Sequence, residues 1–175
     1  IANFFLTLTD KFNILTMSLT GLIGGIFYND FPYMLNSLAL QLSQTYKDIH
    51  LFIGVDGLID ENLERCLKEY EKKKYVNIQR YYENRGVAVV LNDLLDICMN
   101  EGYEYVARMD ADDISMPDRL EKQMSFLQKH PEVDVVGGSI EEIDENGDNR
   151  NKIIVYPETP DECRKFFARR NPHAH

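Results

Sequence analysis

Three carboxylates crowd into four residues at Asp110-Ala111-Asp112-Asp113. Like charges this close repel one another, and a fold tolerates them where water or a cation offsets the repulsion. Oxygen-only donors suit hard divalent ions such as Mg²⁺ or Mn²⁺, which keep coordination positions open for substrate phosphates. A calcium loop of the EF-hand type does not fit, because Ser115 rather than Gly stands at the sixth position. The competing reading of the same residues is an acidic, solvated loop leading into a helix that opens at Pro117. Two further sets of residues could take part in chemistry. Asp56-Gly57 ends a compact apolar run. Asn84-Arg85-Gly86 offers a guanidinium fork suited to a base or a diphosphate, next to a glycine that lets the backbone turn tightly into a helix.

These groups need elements to position them, and the chain supplies an alternation of apolar runs and amphipathic stretches. Leu35, Leu38 and Leu42 share one helical face ahead of Gln44-Thr45-Tyr46. Residues 49–55 form a buried strand that stops in the Asp56-Gly57 turn. Leu63, Cys66, Leu67 and Tyr70 repeat at helical spacing, followed by Lys72-Lys73-Lys74 where a helix C-terminus favours positive charge. Residues 76–82 read as a strand. Val87, Val90, Leu91, Leu94, Leu95 and Cys98 form the clearest helical stripe, which Gly102 ends. A strand over 105–109 runs directly into Asp110. Pro117 opens a helix at its first position, with Leu120, Met124 and Leu127 facing inward. Residues 133–136 and 140–143 are strands. Asn146-Gly147 is a hairpin turn, 153–156 returns as a strand, and 161–169 is a last helix.

Strand and helix in repeated alternation predict an α/β fold, with a mainly parallel, Rossmann-like sheet flanked by helices on both faces. Ligands bind such folds at the carboxyl ends of the strands. That directs attention to Tyr28-Asn29, Asp56-Gly57, Asn84-Arg85-Gly86 and residues 110–113.

Composition narrows the function. The chain has 175 residues, enough for one domain with a sizeable core, and a net charge of -10. Such a surface repels nucleic-acid phosphate, so nucleic acid is not an expected partner. Cys66, Cys98 and Cys163 are odd in number and far apart, which points to a reducing compartment and no thiolate metal site. Residues 2–8 are apolar but lack a basic leader, and 19–28 is too short and glycine-rich for a membrane span. His173 and His175 read as solvated terminal residues. Glu141, Glu142, Asp144 and Glu145 read as an exposed hairpin.

The string from Ala107 to Arg119, with Asp110, Asp112 and Asp113 at its centre, resembles the D-x-D segment of family-two glycosyltransferases of GT-A fold. Other segments agree in order: Tyr28-Asn29 with Gln44-Thr45-Tyr46, then Asp56-Gly57, then Asn84-Arg85-Gly86 with Asn92. Residues 133–138 and Arg170-Asn171-Pro172 resemble members acting on bacterial surface polysaccharides, and His175 takes the place of a His that follows the Asn-Pro pair in that family. The chain departs from the family in carrying Val55 before Asp56, where two acidic residues are usual. The first strand is also irregular. Residues 17–19 and 26–28 compete for its end, and Tyr28-Asn29 is favoured because the next helix then starts at the expected distance.

The resemblance implies a single nucleotide-sugar-binding domain over residues 1–175, lacking a C-terminal acceptor-binding part. It implies transfer of a sugar from a nucleoside-diphosphate donor, a UDP-sugar by first choice, to a sugar or lipid-linked oligosaccharide, with inversion. It also implies a cytoplasmic location, with membrane contact through the missing part. Tyr28, Asn29, Asp56, Arg85, Gly86 and Asp110 would face the nucleotide, Asp56 accepting from its base. Asp112 would bind Mn²⁺ or Mg²⁺ directly, with Asp110 and Asp113 beside it. Arg119 would pair with a nearby carboxylate. The general base, a carboxylate in such enzymes, is expected beyond residue 175. Two alternatives remain at this stage: a non-catalytic sugar-nucleotide-binding module, and a nucleotidyltransferase. The second is disfavoured because Gly21 and Gly24-Gly25 lack a basic partner for a triphosphate.

Overall fold

The computed structural model describes residues 5–7, 13–20, 42–110, 113–144, 146–169 and 171–172. Among these residues the main sheet has six strands in the order β4-β3-β2-β5-β1-β6. They are β1 (Phe5–Thr7), β2 (Asn13–Thr20), β3 (His50–Asp56), β4 (Val76–Tyr81), β5 (Tyr105–Asp110) and β6 (Val135–Val136). Strands β2 to β5 are parallel; β1 runs antiparallel to β5 and β6. The chain starts its parallel unit in the middle of the sheet, builds outward through β3 and β4, then crosses back to β5. Among the described residues the helices are α1 (Glu61–Glu71), α2 (Val87–Asn100), α3 (Arg119–Lys129) and α4 (Pro160–Phe167). A separate hairpin pairs β7 (Ile140–Ile143) with β8 (Asn149–Ile154).

The period-2 alternation of strand side chains explains why both faces carry helices. From β3, Leu51, Ile53 and Val55 point to one face. They pack there with Val76, Ile78, Ala107 and Met109, and with Leu67 of α1 and Leu120, Met124 and Leu127 of α3. Phe52 and Val106 point to the other face and pack against Val90, Leu94 and Cys98 of α2. Gly54 lies on that second face, and a Cβ there would stand 2.2 Å from Cγ1 of Val90. Its missing side chain is what lets α2 approach the sheet.

The helix ends follow from local chemistry. Asp60 caps α1, accepting the Asn62 and Leu63 N–H groups at 2.8 and 3.1 Å. Arg80 of β4 ties α1 to the sheet edge through Glu71 at 2.8 Å and Glu64 at 3.3 Å. After α2, Gly102 takes φ 79°, and the Tyr103 and Gly102 N–H groups return to the Cys98 and Met99 carbonyls. This Schellman closure bears out Gly102 as the stop. Thr159 and Glu162 form a reciprocal capping box at α4.

Several expectations need correcting. The parallel strand beside β3 and β5 ends at Thr20, so residues 17–19 lie within it. The favoured strand end, Tyr28-Asn29, lies outside the described residues, as do Leu35 and Leu38. Helix α3 begins at Arg119, not Pro117. The Pro117 carbonyl instead accepts the Thr45 N–H at 2.9 Å, so it serves a tertiary contact rather than the helix ladder. The returning hairpin strand is Asn149–Ile154 rather than 153–156, because its register with β7 is set from the turn at Gly147.

Candidate functional site

The carboxyl ends of the parallel strands gather the expected residues along one edge. In the sheet register Asp56 lies beside Thr20 of β2 and Tyr81 of β4, while Asp110, the last residue of β5, pairs with Ser18. Asp56 and Asp110 therefore end the two strands that flank β2. Asp112 lies outside the described residues. For Asp110 the strand position is what the structure provides.

Asp56 is fully buried. One carboxylate oxygen accepts the Arg85 N–H at 2.6 Å and the other accepts the Gly86 N–H at 2.8 Å. The carboxylate thus holds the entry to α2, where Gly86 takes φ 87° as the N-cap residue. Asn84 completes the turn. Its Oδ1 accepts the Gly86 N–H at 3.2 Å, and its Nδ2 donates to the Asp56 carbonyl at 3.4 Å. The resemblance assigned Asp56 to the nucleotide base. In this arrangement its observed partners are main-chain amides, and its side chain is closed off from solvent.

Arg85 projects from the same turn and is partly exposed. Its guanidinium pairs with Asp93 of α2 and lies 4.9 Å from the Tyr81 ring centroid. Burial raises the Tyr81 phenol above its ordinary range, and Asp93 adds to the effect. The cation is thus held at the strand edge by an acid and a ring, both placed by secondary structure. Asn92, on the same helix, is exposed.

The segment after β5 has its own support, which the sequence reading did not anticipate. Gln44 is fully buried. Its Nε2 donates to the Met116 carbonyl at 2.9 Å and to Ser115 Oγ at 3.3 Å, and its Oε1 accepts the Leu120 N–H at 3.3 Å. Leu120 is in the first turn of α3, so Gln44 caps that helix from a distant part of the chain. Thr45 Oγ1 donates to Glu121 at 2.6 Å. Arg119 is also buried. It donates to Gln123 at 3.0 Å, to Ser115 at 3.3 Å and to the Arg108 carbonyl at 3.4 Å. Burial lowers its pKa to about 9, opposed by the charge of Asp113. The guanidinium remains charged at neutral pH, and Asp113 is the carboxylate whose charge acts on it.

A divalent ion suits this donor set. Asp110 stands at the strand terminus, and half-buried Asp113 has the fixed positive charge of Arg119 nearby to limit repulsion within the acidic segment. All candidate donors are carboxylate oxygens, the chemistry that hard cations require. Elsewhere, Cys98 is buried, and its thiol is pushed up to about 12 by that burial, as befits a packing residue. Glu141 and Glu142 bond Asn149 and Lys152 within the hairpin, in keeping with their reading as surface residues. Among the described residues, no helix is long and apolar enough to cross a membrane.

With this geometry in hand, comparison with known proteins is informative. The family model described as Glycosyl transferase family 2 matches residues 25–174. An uncharacterized glycosyltransferase of Haemophilus influenzae is 36% identical over 137 residues, covering 77% of this chain and 49% of that protein. The amylovoran biosynthesis glycosyltransferase AmsE of Erwinia amylovora is 33% identical over 132 residues, covering 75% of this chain and 48% of its own length. The O-antigen biosynthesis glycosyltransferase WbnJ of Escherichia coli is 36% identical over 135 residues, covering 77% and 50%. The chain spans about half the length of these curated relatives. The crystal structure of S. aureus TarS 1-349 superposes with a TM-score of 0.53 at 18% identity, covering 68% of this chain and 33% of that one. That likeness concerns the fold, which is GT-A. A parallel sheet presenting its acidic strand ends on one edge, and a family match over residues 25–174, lead to one conclusion: the chain belongs to glycosyl transferase family 2.

Proposed function

We propose that this chain forms the nucleotide-sugar-binding part of an inverting, metal-dependent glycosyltransferase of bacterial surface polysaccharide synthesis, acting on the cytoplasmic side. The observation that carries the reading is the shared carboxyl edge, where β3, the Asn84-Arg85-Gly86 turn and β5 end around β2. The printed functions of AmsE and WbnJ support the polysaccharide assignment.

In this reading Arg85 meets the base or diphosphate of the donor, pre-oriented by Asp93 and Tyr81. Asp56 contributes by fixing the turn that carries Arg85. Tyr28 and Asn29 would also take part in binding the nucleotide. Asp112, with Asp110 and Asp113, would hold Mn²⁺ or Mg²⁺, whose charge stabilises the departing diphosphate. An inverting transfer also needs a carboxylate to take the proton of the acceptor's hydroxyl.

Calorimetry of the full-length protein with UDP-, GDP- and dTDP-sugars, with and without Mn²⁺, tests this. Binding of one nucleotide class, strengthened by Mn²⁺, is the expected result. Indifference to every nucleotide together with binding of duplex DNA at physiological salt would reject it.

A further inference from the structure

Gln44 is a buried polar residue whose amide donates to Ser115 and Met116 and accepts from Leu120, all in the segment that follows the acidic cluster. It holds Ser115 and Met116 by donation and the first turn of α3 by acceptance. Ser115 is also bonded to Arg119, which donates to the Arg108 carbonyl on the incoming strand and whose charge is acted on by that of Asp113. Arg108 of β5 and the loop from Ser115 into α3 are therefore joined by one buried polar network. Thr45 adds two ties, to Pro117 and Glu121.

We infer that Gln44 is a positioning residue for the cation: it fixes the loop from Asp113 to α3, and with it the place of Asp113, before the ion arrives. The inference rests on the metal site proposed above. A loop anchored at one end only would have to be ordered when the ion binds, and that cost would be subtracted from affinity. Groups that orient metal-binding residues without touching the metal commonly change affinity by about 10–100-fold when removed. Gln44 stands in that relation to Asp113, acting through Ser115 and Arg119.

Gln44→Glu tests the idea with little change of shape. The donor facing the Met116 carbonyl becomes an acceptor, so two oxygens oppose each other, while the bond to Leu120 is retained. Mn²⁺ binding to the full-length protein is followed through the electron paramagnetic resonance of the free ion, alongside thermal melting. Cys98→Ala, which opens a cavity on the opposite face of the sheet, controls for general destabilisation. Gln44→Glu is expected to lose about tenfold or more in Mn²⁺ affinity, while Cys98→Ala stays within about twofold for a comparable fall in melting temperature. Equal affinity in folded Gln44→Glu and wild type overturns the inference. If Gln44→Glu does not fold, Ser115→Ala decides: weakened Mn²⁺ binding supports the role and unchanged binding overturns it. A wild-type protein that binds no Mn²⁺ even with nucleotide-sugar overturns the metal site itself, and the inference with it.

Discussion

Asp56 accepts the main-chain N–H of Gly86 across thirty positions of sequence, at 2.8 Å, with its second oxygen on the N–H of Arg85. A strand end and a helix entry are thereby joined by one buried carboxylate. Asp56→Asn keeps the shape but turns an NH₂ group toward a main-chain donor. Loss of a charged, buried hydrogen bond is expected to cost about 1.5–3 kcal/mol, read from urea denaturation. A stability within error of wild type would remove Asp56 from this role.

Gly54 should not tolerate a methyl group. The added carbon would stand 2.2 Å from Cγ1 of Val90 and 3.2 Å from Cδ1 of Leu94, and valine in a helix has little rotamer freedom with which to yield. Gly54→Ala is expected to destabilise by about 1–3 kcal/mol. Combining it with Val90→Ala should cost less than the sum of the two changes, and simple additivity would show that the contact is not the cause.

Asp93→Asn tests the placement of Arg85. The pair is partly exposed, so solvent screening keeps its contribution to stability below about 1 kcal/mol. Nucleotide affinity should change more than stability does, because the guanidinium loses the partner that orients it. Calorimetry at low and high salt, with melting curves beside it, separates the two effects. Unchanged nucleotide binding would place Arg85 outside the donor site.

Asp112→Asn should lower metal-dependent nucleotide affinity by at least about tenfold, near 1.4 kcal/mol, while the fold survives. Without metal the melting temperature should be equal or slightly higher, since one charge has left a repulsive cluster. Equal ligand-induced melting shifts in the two proteins would reject Asp112 as the metal ligand.

Acid should weaken the tie between β4 and α1. The Arg80 hydrogen bond holds the Glu71 carboxyl below its ordinary value, outweighing a small opposing effect of burial. A carboxylate depressed in the folded state stabilises above its unfolded pKa and loses that contribution as pH falls through the folded one. Both side chains are about a third or more exposed, so the effect is that of a screened surface pair. Arg80→Met should remove this part of the acid sensitivity, visible as a shallower fall of melting temperature as pH drops from the ordinary glutamate value through the lowered, folded-state one.

The parts of the fold legible in the sequence are those written in local pattern. The stripe from Val87 to Cys98 and the apolar run before Asp56 became α2 and β3 because side-chain period and burial demand it. Gly102 and Gly147 mark turns because their positive φ angles favour glycine. Gln44 was seen only as part of a family segment, since its partners at Ser115, Met116 and Leu120 are brought to it by tertiary structure. Asp56 was assigned to the nucleotide base by the family resemblance, while its bonds to the main-chain donors of Arg85 and Gly86 leave no mark in the sequence. Pro117 misled for the same reason: its carbonyl is used by Thr45, another contact with no local signature.

The central place of β2 has a consequence for how the chain acquires its shape. One edge of β2 is completed by β3, but the other waits for β5, with Ile14 meeting Val106. During synthesis β3, α1 and β4 can assemble from neighbouring sequence while that second edge is still open. An unpaired strand edge recruits other chains, and distant pairings of this kind slow folding. A nascent chain stalled before Tyr105 should therefore be prone to aggregation, and chaperone dependence should fall once β5 has emerged from the ribosome.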